Sequence, residues 1–387
     1  MNPIIQIYQT EVQIELTNIL NFWTSKTYDE INGGFIGKMD INGQVDYDAP
    51  KGLVLNARIL WTFAAAYKRS ENPQHLEAAL RAYETLTMQF KDEKHGGYYW
   101  SIQANGDPLS VRKQIYGLAF VLYGLSEFYS ILKENDILKE CIEIFNWIEK
   151  QSFNIQNRGY LEAVAQDGSP LEDMRLSPKD RNDPLSMNTH LHILEAYTNL
   201  YRIWENDFLK QQTENLIDIF LEKIISPSKH LILFFNEKWH PTDDEISYGH
   251  DIEAAWLVLE AAEMVHYRVE EARKIAVEIA HAASKGLDTE GGLDYEAHRK
   301  ERHWWVQAEA MVGFLNAYEI SKEAHFLEKS LMCWDFTKKH FIDHKNGEWF
   351  WGYTEGGELM HTEDKVGFWK CPYHNARACM EVSKRIV

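Results

Sequence analysis

His250 and Glu253 stand three residues apart in "SYGHDIEAAW", at the front of an otherwise apolar segment. On a helix, positions i and i+3 share a face. A carboxylate beside an imidazole fixes its tautomer and raises its basicity, while a helix N-terminus favours the neutral ring. A neutral, oriented histidine is what general-base chemistry needs. Read alone, the stretch fits a helix-capping pair equally well. His374 in "WKCPYHNARACMEV" repeats the arrangement, because Pro372 suits a first helical turn and so puts His374 near a helix start. Polar residues recur at the fronts of other apolar segments. They are Arg58 in "LNARILW", Tyr116 in "KQIYGLAF", Asn188 and His192 in "MNTHLHILEAY", Gln307 and Glu309 in "HWWVQAEAMVGF", and Arg377 behind His374. Trp304, Trp305 and Trp369 offer flat apolar walls of the kind that pack on sugar faces, or equally into a core.

Other chemistries find no support. There is no G-x-S-x-G elbow, no P-loop and no dinucleotide fingerprint. His190 and His192 cannot share a helix face, so neither a metal nor an organic cofactor is expected. Cys141, Cys333, Cys371 and Cys379 form no CxxC pair. With 40 basic and 59 acidic residues the formal charge is −19, which disfavours nucleic acid and anionic membranes as partners.

The elements that must position these residues show a repeat. Glycine followed by aromatic or apolar residues recurs in "NGGFIGKM" (32–39), "HGGYYWSI" (95–102), "NRGYLEAV" (157–164), "EGGLDYEA" (290–297) and "NGEWFWGY" (346–353). "HLILFFNE" (230–237) fills the vacant slot without a glycine, which makes six units. Each motif reads as a turn or short β-hairpin. Helical patterns alternate between them. One set is amphipathic, at 10–24, 74–91, 136–151, 207–225, 267–285 and 322–340. The other is apolar nearly all round, at 53–67, 113–130, 187–201, 250–265, 304–319 and 373–385. A helix apolar on most sides is buried on most sides. The expectation is an all-α (α/α)6 barrel of six inner and six outer helices, with short β-hairpins at one end, as a single domain over 1–387. Parallel inner helices would gather the polar residues at one end. No apolar run is read as reaching membrane-spanning length, and the N-terminal 23 residues read as an amphipathic helix rather than a signal peptide. A cytoplasmic monomer is expected.

The stretches "SYGHDIEAAWLVLEAA", "WWVQAEAMVGFLNAY", "MNTHLHILEAYTNLY", "KGLVLNARILW" and "WKCPYHNARACMEV" resemble the cellobiose 2-epimerases of the N-acylglucosamine 2-epimerase superfamily, from about residue 15 onward. The resemblance implies an (α/α)6 barrel and a cofactor-independent reaction on a small disaccharide. The reducing-end glucose of a β-1,4-linked disaccharide opens, loses its C2 proton, passes through a cis-enediolate and is reprotonated on the other face. It implies His250 and His374 as the acid/base pair, Glu253 supporting His250, and Arg58 near O1 and O2. It places Tyr116, Asn188, His192, Trp304, Trp305, Glu309 and Trp369 around the sugar. Loop 165–185 is a candidate for setting substrate range. The competing expectations are a monosaccharide 2-epimerase or aldose–ketose isomerase, an inverting glycoside hydrolase using Glu253 and Glu309, and a non-catalytic sugar-binding barrel.

Overall fold

The computed structural model describes residues 3–386. Six helices carry a solvated face: α1 (Pro3–Lys26), α3 (Pro73–Thr85), α5 (Asn135–Gln151), α7 (Asp207–Ile219), α9 (Val269–Ala283) and α11 (Ala324–His340). Six are buried on nearly every side: α2 (Leu53–Ser70), α4 (Ile115–Leu132), α6 (Met187–Tyr201), α8 (Tyr248–Val265), α10 (Trp304–Ser321) and α12 (Tyr373–Arg385). The inner helices pack in sequence from α2 to α12, and α12 packs back on α2 to close a ring. Each outer helix lies on an inner one, α1 on α12 and every other outer helix on the inner helix before it. The architecture is an (α/α)6 barrel.

The helix positions follow the apolar pattern, with deviations at outer-helix ends. The last turns of the expected 74–91 and 207–225 helices widen into π-turns at Leu86–Phe90 and Phe220–Ile224. α4 corrects the reading that no segment is long and apolar enough to cross a membrane. Its 18 residues have a mean hydropathy of 1.4, and 78% of them are buried inside the barrel. An inner helix wrapped by neighbours needs apolar residues all round for the same reason a membrane span does.

The five glycine-aromatic motifs and the glycine-free sixth become six hairpins at one end of the ring. Each is pinned by one bridge just after an outer helix: Tyr28–Phe35, Lys91–Tyr98, Phe153–Tyr160, Ile225–Leu231, Leu287–Leu293 and Ile342–Trp349. Gly34 shows why glycine recurs there. Its φ is +68°, and a β-carbon would lie 2.4 Å from Thr85 Oγ1. The backbone just before each inner helix then pairs with the neighbouring hairpin. Lys51–Gly52 meets Ser101–Ile102, Lys113–Gln114 meets Ala163–Val164, and Leu185–Ser186 meets Phe234–Phe235. Ser247 meets Glu296, Arg302–His303 meets Gly352–Tyr353, and Val366 meets Met39. This girdle fixes where every inner helix starts.

Ion pairs lock four of the six junctions: Asp29–Lys51 and Asp92–Lys113 at 2.8 Å, Asp288–Arg302 at 2.7 Å, and Asp343–Lys365. Burial opposes ionisation of Asp92, but hydrogen bonds from Lys113, Gln166 and the His95 N–H outweigh it and bring its carboxyl to about 2. Removing one partner of a buried pair leaves the other charge uncompensated. Lys113→Met is therefore expected to cost about 3–5 kcal/mol of stability. The Asp92→Asn/Lys113→Met double variant should recover part of that loss. A denaturation midpoint unchanged in the single variant would contradict this.

Candidate active site

The girdle sets the inner-helix starts side by side, so their first two turns face one another across the ring mouth. Tyr116, Asn188, His250, Trp305 and His374 lie in first turns; Arg58, His192, Glu253, Glu309 and Arg377 lie in second turns. Contacts link them around the ring. Arg58 donates from Nη2 to Tyr116 Oη at 2.8 Å, and the Tyr116 ring meets His192 edge-on at 4.9 Å. Trp305 stands between the two catalytic candidates, 4.9 Å from the His250 ring and 5.6 Å from that of His374.

Each histidine has an orienting partner. Glu309 Oε1 lies 2.7 Å from His374 Nδ1. Burial pushes the Glu309 carboxyl up, but Arg377 and His374 hold it below the usual carboxylate range. An ionised carboxylate only accepts, so Nδ1 carries the proton and Nε2 keeps its lone pair. Glu195 Oε2 holds His192 Nδ1 in the same way at 2.9 Å. His250 Nδ1 instead meets Ser247 Oγ at 2.8 Å, and Ser247 also caps α8 by accepting from the His250 N–H.

Two buried arginines differ sharply. Arg377 is 1% exposed and touches three carboxyl groups: Glu195, Glu253 at 2.9 Å and Glu309 at 2.7 Å; it helps hold Glu195 and Glu309 below the usual carboxylate range, while burial and the neighbouring Glu309 push the Glu253 carboxyl well above it. Arg58 is 3% exposed; it donates to the Tyr116 hydroxyl, lies on the faces of Phe120 (4.2 Å) and Tyr373 (4.9 Å) and bonds the Cys371 side chain, and no carboxylate touches it, although the charge of Glu253 reaches it. Its Nε has no hydrogen-bond partner among the described residues, and neither has Asn188 Oδ1. A buried cation without a carboxylate is costly unless an anion arrives.

Three expectations change. Glu253 does not hold His250; its carboxyl group reaches across the ring to Arg377 and lies 3.9 Å from His374 Nδ1. The guanidinium attracts it more strongly than a neutral imidazole on its own helix. Trp304 turns away from Trp305: it packs on Trp351 at 4.4 Å and lies under Lys370, and its Nε1 has no hydrogen-bond partner among the described residues. Consecutive helical residues point about 100° apart, so only one of the Trp304–Trp305 pair can face the mouth. Glu309 lies behind His374 rather than on the cleft surface, being 1% exposed. Trp369 is half-buried and does form a wall, with Phe368 at 5.2 Å, Trp100 at 5.8 Å and Tyr116 at 6.0 Å. Ser247, Glu195 and Trp100 also join the site, and neither their residue types nor their spacing marks them in the sequence. Gln307 is structural, exchanging two hydrogen bonds with the Leu293 backbone.

Glu253, Glu309 and His374 offer donor atoms within 4.8 Å of one another, a spacing that could hold a cation, and the Arg377 guanidinium already lies on both carboxyl groups. His281, Glu323 and His325 form a comparable group at the outer surface. The Glu253–Glu309 spacing is also shorter than the about 6.5–9.5 Å an inverting glycosidase needs for its water.

Burial is the main force lowering both His250 and His374, to about 3; His192 adds to it at His250, and Arg58 and Arg377 add to it at His374. A base lowered this way stays deprotonated until the pH falls through its folded-state value. kcat/KM is therefore expected to stay flat from pH 8 down to about pH 5, with no step near the ordinary histidine value of about 6.5. A pH–rate profile with an acid limb centred near 6.5 would show a solvated imidazole in the free enzyme.

The N-acylglucosamine 2-epimerase (GlcNAc 2-epimerase) family model matches residues 34–378. The chain belongs to the N-acylglucosamine 2-epimerase family. Within this family it is 44% identical to a cellobiose 2-epimerase of Bacteroides fragilis, across 97% of this chain and 99% of that one. The solved cellobiose 2-epimerase of Spirochaeta thermophila superposes with a TM-score of 0.94 at 39% identity, covering 100% of this chain and 98% of its own. A D-mannose isomerase structure, 23% identical over 97% of each chain, shares the fold with a TM-score of 0.86. Family membership gives the barrel described above a set of relatives with named activities.

Proposed function

We propose that the chain epimerises C2 of the reducing-end glucose of cellobiose and related β-1,4-linked disaccharides without a cofactor. The observation that carries this reading is Arg58, a buried guanidinium with no carboxylate, set in a mouth that also holds two neutral, oriented imidazoles. Opening the sugar ring exposes a C1 aldehyde and makes the C2 hydrogen weakly acidic. One imidazole takes that proton; the electron pair moves through C1–C2 to the carbonyl oxygen and gives a cis-enediolate. Arg58 and the Tyr116 hydroxyl donate to the oxygen where charge develops, which lowers the barrel's own desolvation cost as it lowers the barrier. The second imidazole takes up a proton from solvent as the enediolate charge develops and delivers it to the opposite face of C2, while the first imidazole gives the proton it removed back to solvent, so both rings end the turnover neutral. Trp305, between the two rings, suits the face of the reacting sugar, and the Trp100–Phe368–Trp369 wall suits the second sugar ring. The relatives named cellobiose 2-epimerase, at 44% and 40% identity over nearly the whole chain, support the same substrate class. Four buried free cysteines suit a reducing compartment, and we read the enzyme as a cytoplasmic monomer.

Incubation with cellobiose followed by proton NMR tests the reading. Glucosyl-mannose is the expected product. A ketose would make the chain an isomerase, free glucose a hydrolase, and unchanged cellobiose would overturn the proposal.

A further inference from the structure

Behind the residues that face the mouth, the second and third turns of four inner helices converge on one guanidinium. Arg377 of α12 donates from Nη1 to Glu195 of α6 and to the Tyr373 hydroxyl. From Nη2 it donates to Glu253 of α8 and Glu309 of α10. The ring of Tyr373 lies 4.3 Å from the guanidinium carbon and that of Trp256 4.8 Å, so the group is stacked as well as bonded. Trp256 Nε1 donates to the other oxygen of Glu309 at 3.1 Å, and the Tyr373 hydroxyl donates to Glu195. Two of the clamped carboxylates in turn hold imidazoles, Glu195 that of His192 and Glu309 that of His374.

We propose that Arg377 is a positioning residue for the epimerisation: it fixes Glu195 and Glu309 relative to each other and thereby sets the orientation of His192 and His374, which lie on opposite walls of the mouth. This rests on the functional reading above. The planar fork is essential to it, because two nitrogens must serve carboxylates from different helices at once. The charge matters too. His374 is faced by Glu309 and Glu253 from α10 and α8, by Arg58 from α2, and by Arg377 on its own helix, with Glu195 of α6 on the far side of Arg377. Removing the Arg377 cation leaves the Glu309–His374 pair more anionic, so the pair takes up its proton at higher pH.

The experiment compares Arg377→Met and Arg377→Lys with wild type by steady-state kinetics on cellobiose and by ¹⁵N NMR titration of the imidazoles. The His374 signal is assigned by its loss in His374→Asn. Arg377→Met is expected to lower kcat by about 10–100-fold with KM little changed. Its His374 titration should move up by about 1–2 pH units. Arg377→Lys restores the charge but not the fork, so its titration should return towards wild type while kcat stays low. Should Arg377→Met fail to fold, Glu195→Gln takes its place: it keeps Arg377 and is expected to lower kcat while shifting the His192 signal. Unchanged kcat and titration in the folded variants would overturn the proposal, as would a loss of thermal stability alone. The NMR arm does not depend on turnover, so a wild-type protein inactive on cellobiose would sink the functional reading and leave this inference standing or falling by the titration.

Discussion

His374→Asn and His250→Asn are each expected to lower cellobiose epimerisation by about 10²–10⁴-fold while leaving the barrel folded. Asparagine keeps a hydrogen-bonding group of similar reach but offers no titratable nitrogen. For His374 the contact with Glu309 Oε1 can survive through the amide, so helix α12 keeps its place. For His250 the Ser247 cap is a backbone contact as well as a side-chain one, so helix α8 keeps its start. Inversion needs a proton removed from one face of C2 and returned to the other, and each imidazole serves one face. In D2O the wild-type enzyme should place deuterium at C2 of the epimer. A variant with one histidine left should still exchange the C2 hydrogen of recovered cellobiose without inverting it. Wild-type product that retains its C2 hydrogen in D2O would exclude the two-base route and require a single shuttling base or a hydride shift.

Arg58→Met is expected to lower kcat by about 10²–10³-fold, with little change in KM. The guanidinium acts on charge that exists only on the way to the enediolate, so its loss falls on turnover. The same substitution should leave the melting temperature unchanged or raise it. Methionine fills the space against Phe120 and Tyr373 and removes a buried cation that has no carboxylate partner. Circular dichroism melts alongside kinetics check both halves. A KM effect alone would make Arg58 a ground-state sugar ligand, and a large drop in melting temperature would mean that its charge is compensated in the resting protein.

The barrel was legible in the sequence because its signals are local. Glycine-aromatic turns mark the hairpins, and the contrast between one-sided and all-round apolar helices separates outer from inner. The first-turn residues were legible for the same reason: Tyr116, Asn188, His250, Trp305 and His374 are polar or aromatic groups at helix fronts. The pairings among them were not. Glu253 sits one turn from His250, yet its partner Arg377 is 124 residues away. Glu309 reaches His374 over 65 residues, and Glu195 reaches Arg377 over 182. Local spacing says which groups share a helix face; only ring closure decides which carboxylate meets which imidazole. Ser247 was hidden differently, because an N-cap serine is ordinary at a helix start and its second task, holding the His250 ring through the same Oγ, leaves no separate mark in the sequence.

The docking of α12 onto α1, α2 and α10 has a consequence for how the protein comes into being. α12 follows every other described helix in the chain and carries His374, Arg377 and the ring of Tyr373. During synthesis, which runs N- to C-terminal, a nascent barrel of five inner helices already holds Arg58, Tyr116 and His250 but has no second base and no clamp for Glu195 and Glu309. Contacts that span most of the sequence, such as Trp23 with Glu348 and Gln9 with Ile386, must form to seat this helix. Contacts of such separation are slow to make. Catalytic competence and closure of the barrel are thus the same late event. A ribosome-stalled chain ending at residue 372 would be an arrested, open arc rather than a slow enzyme.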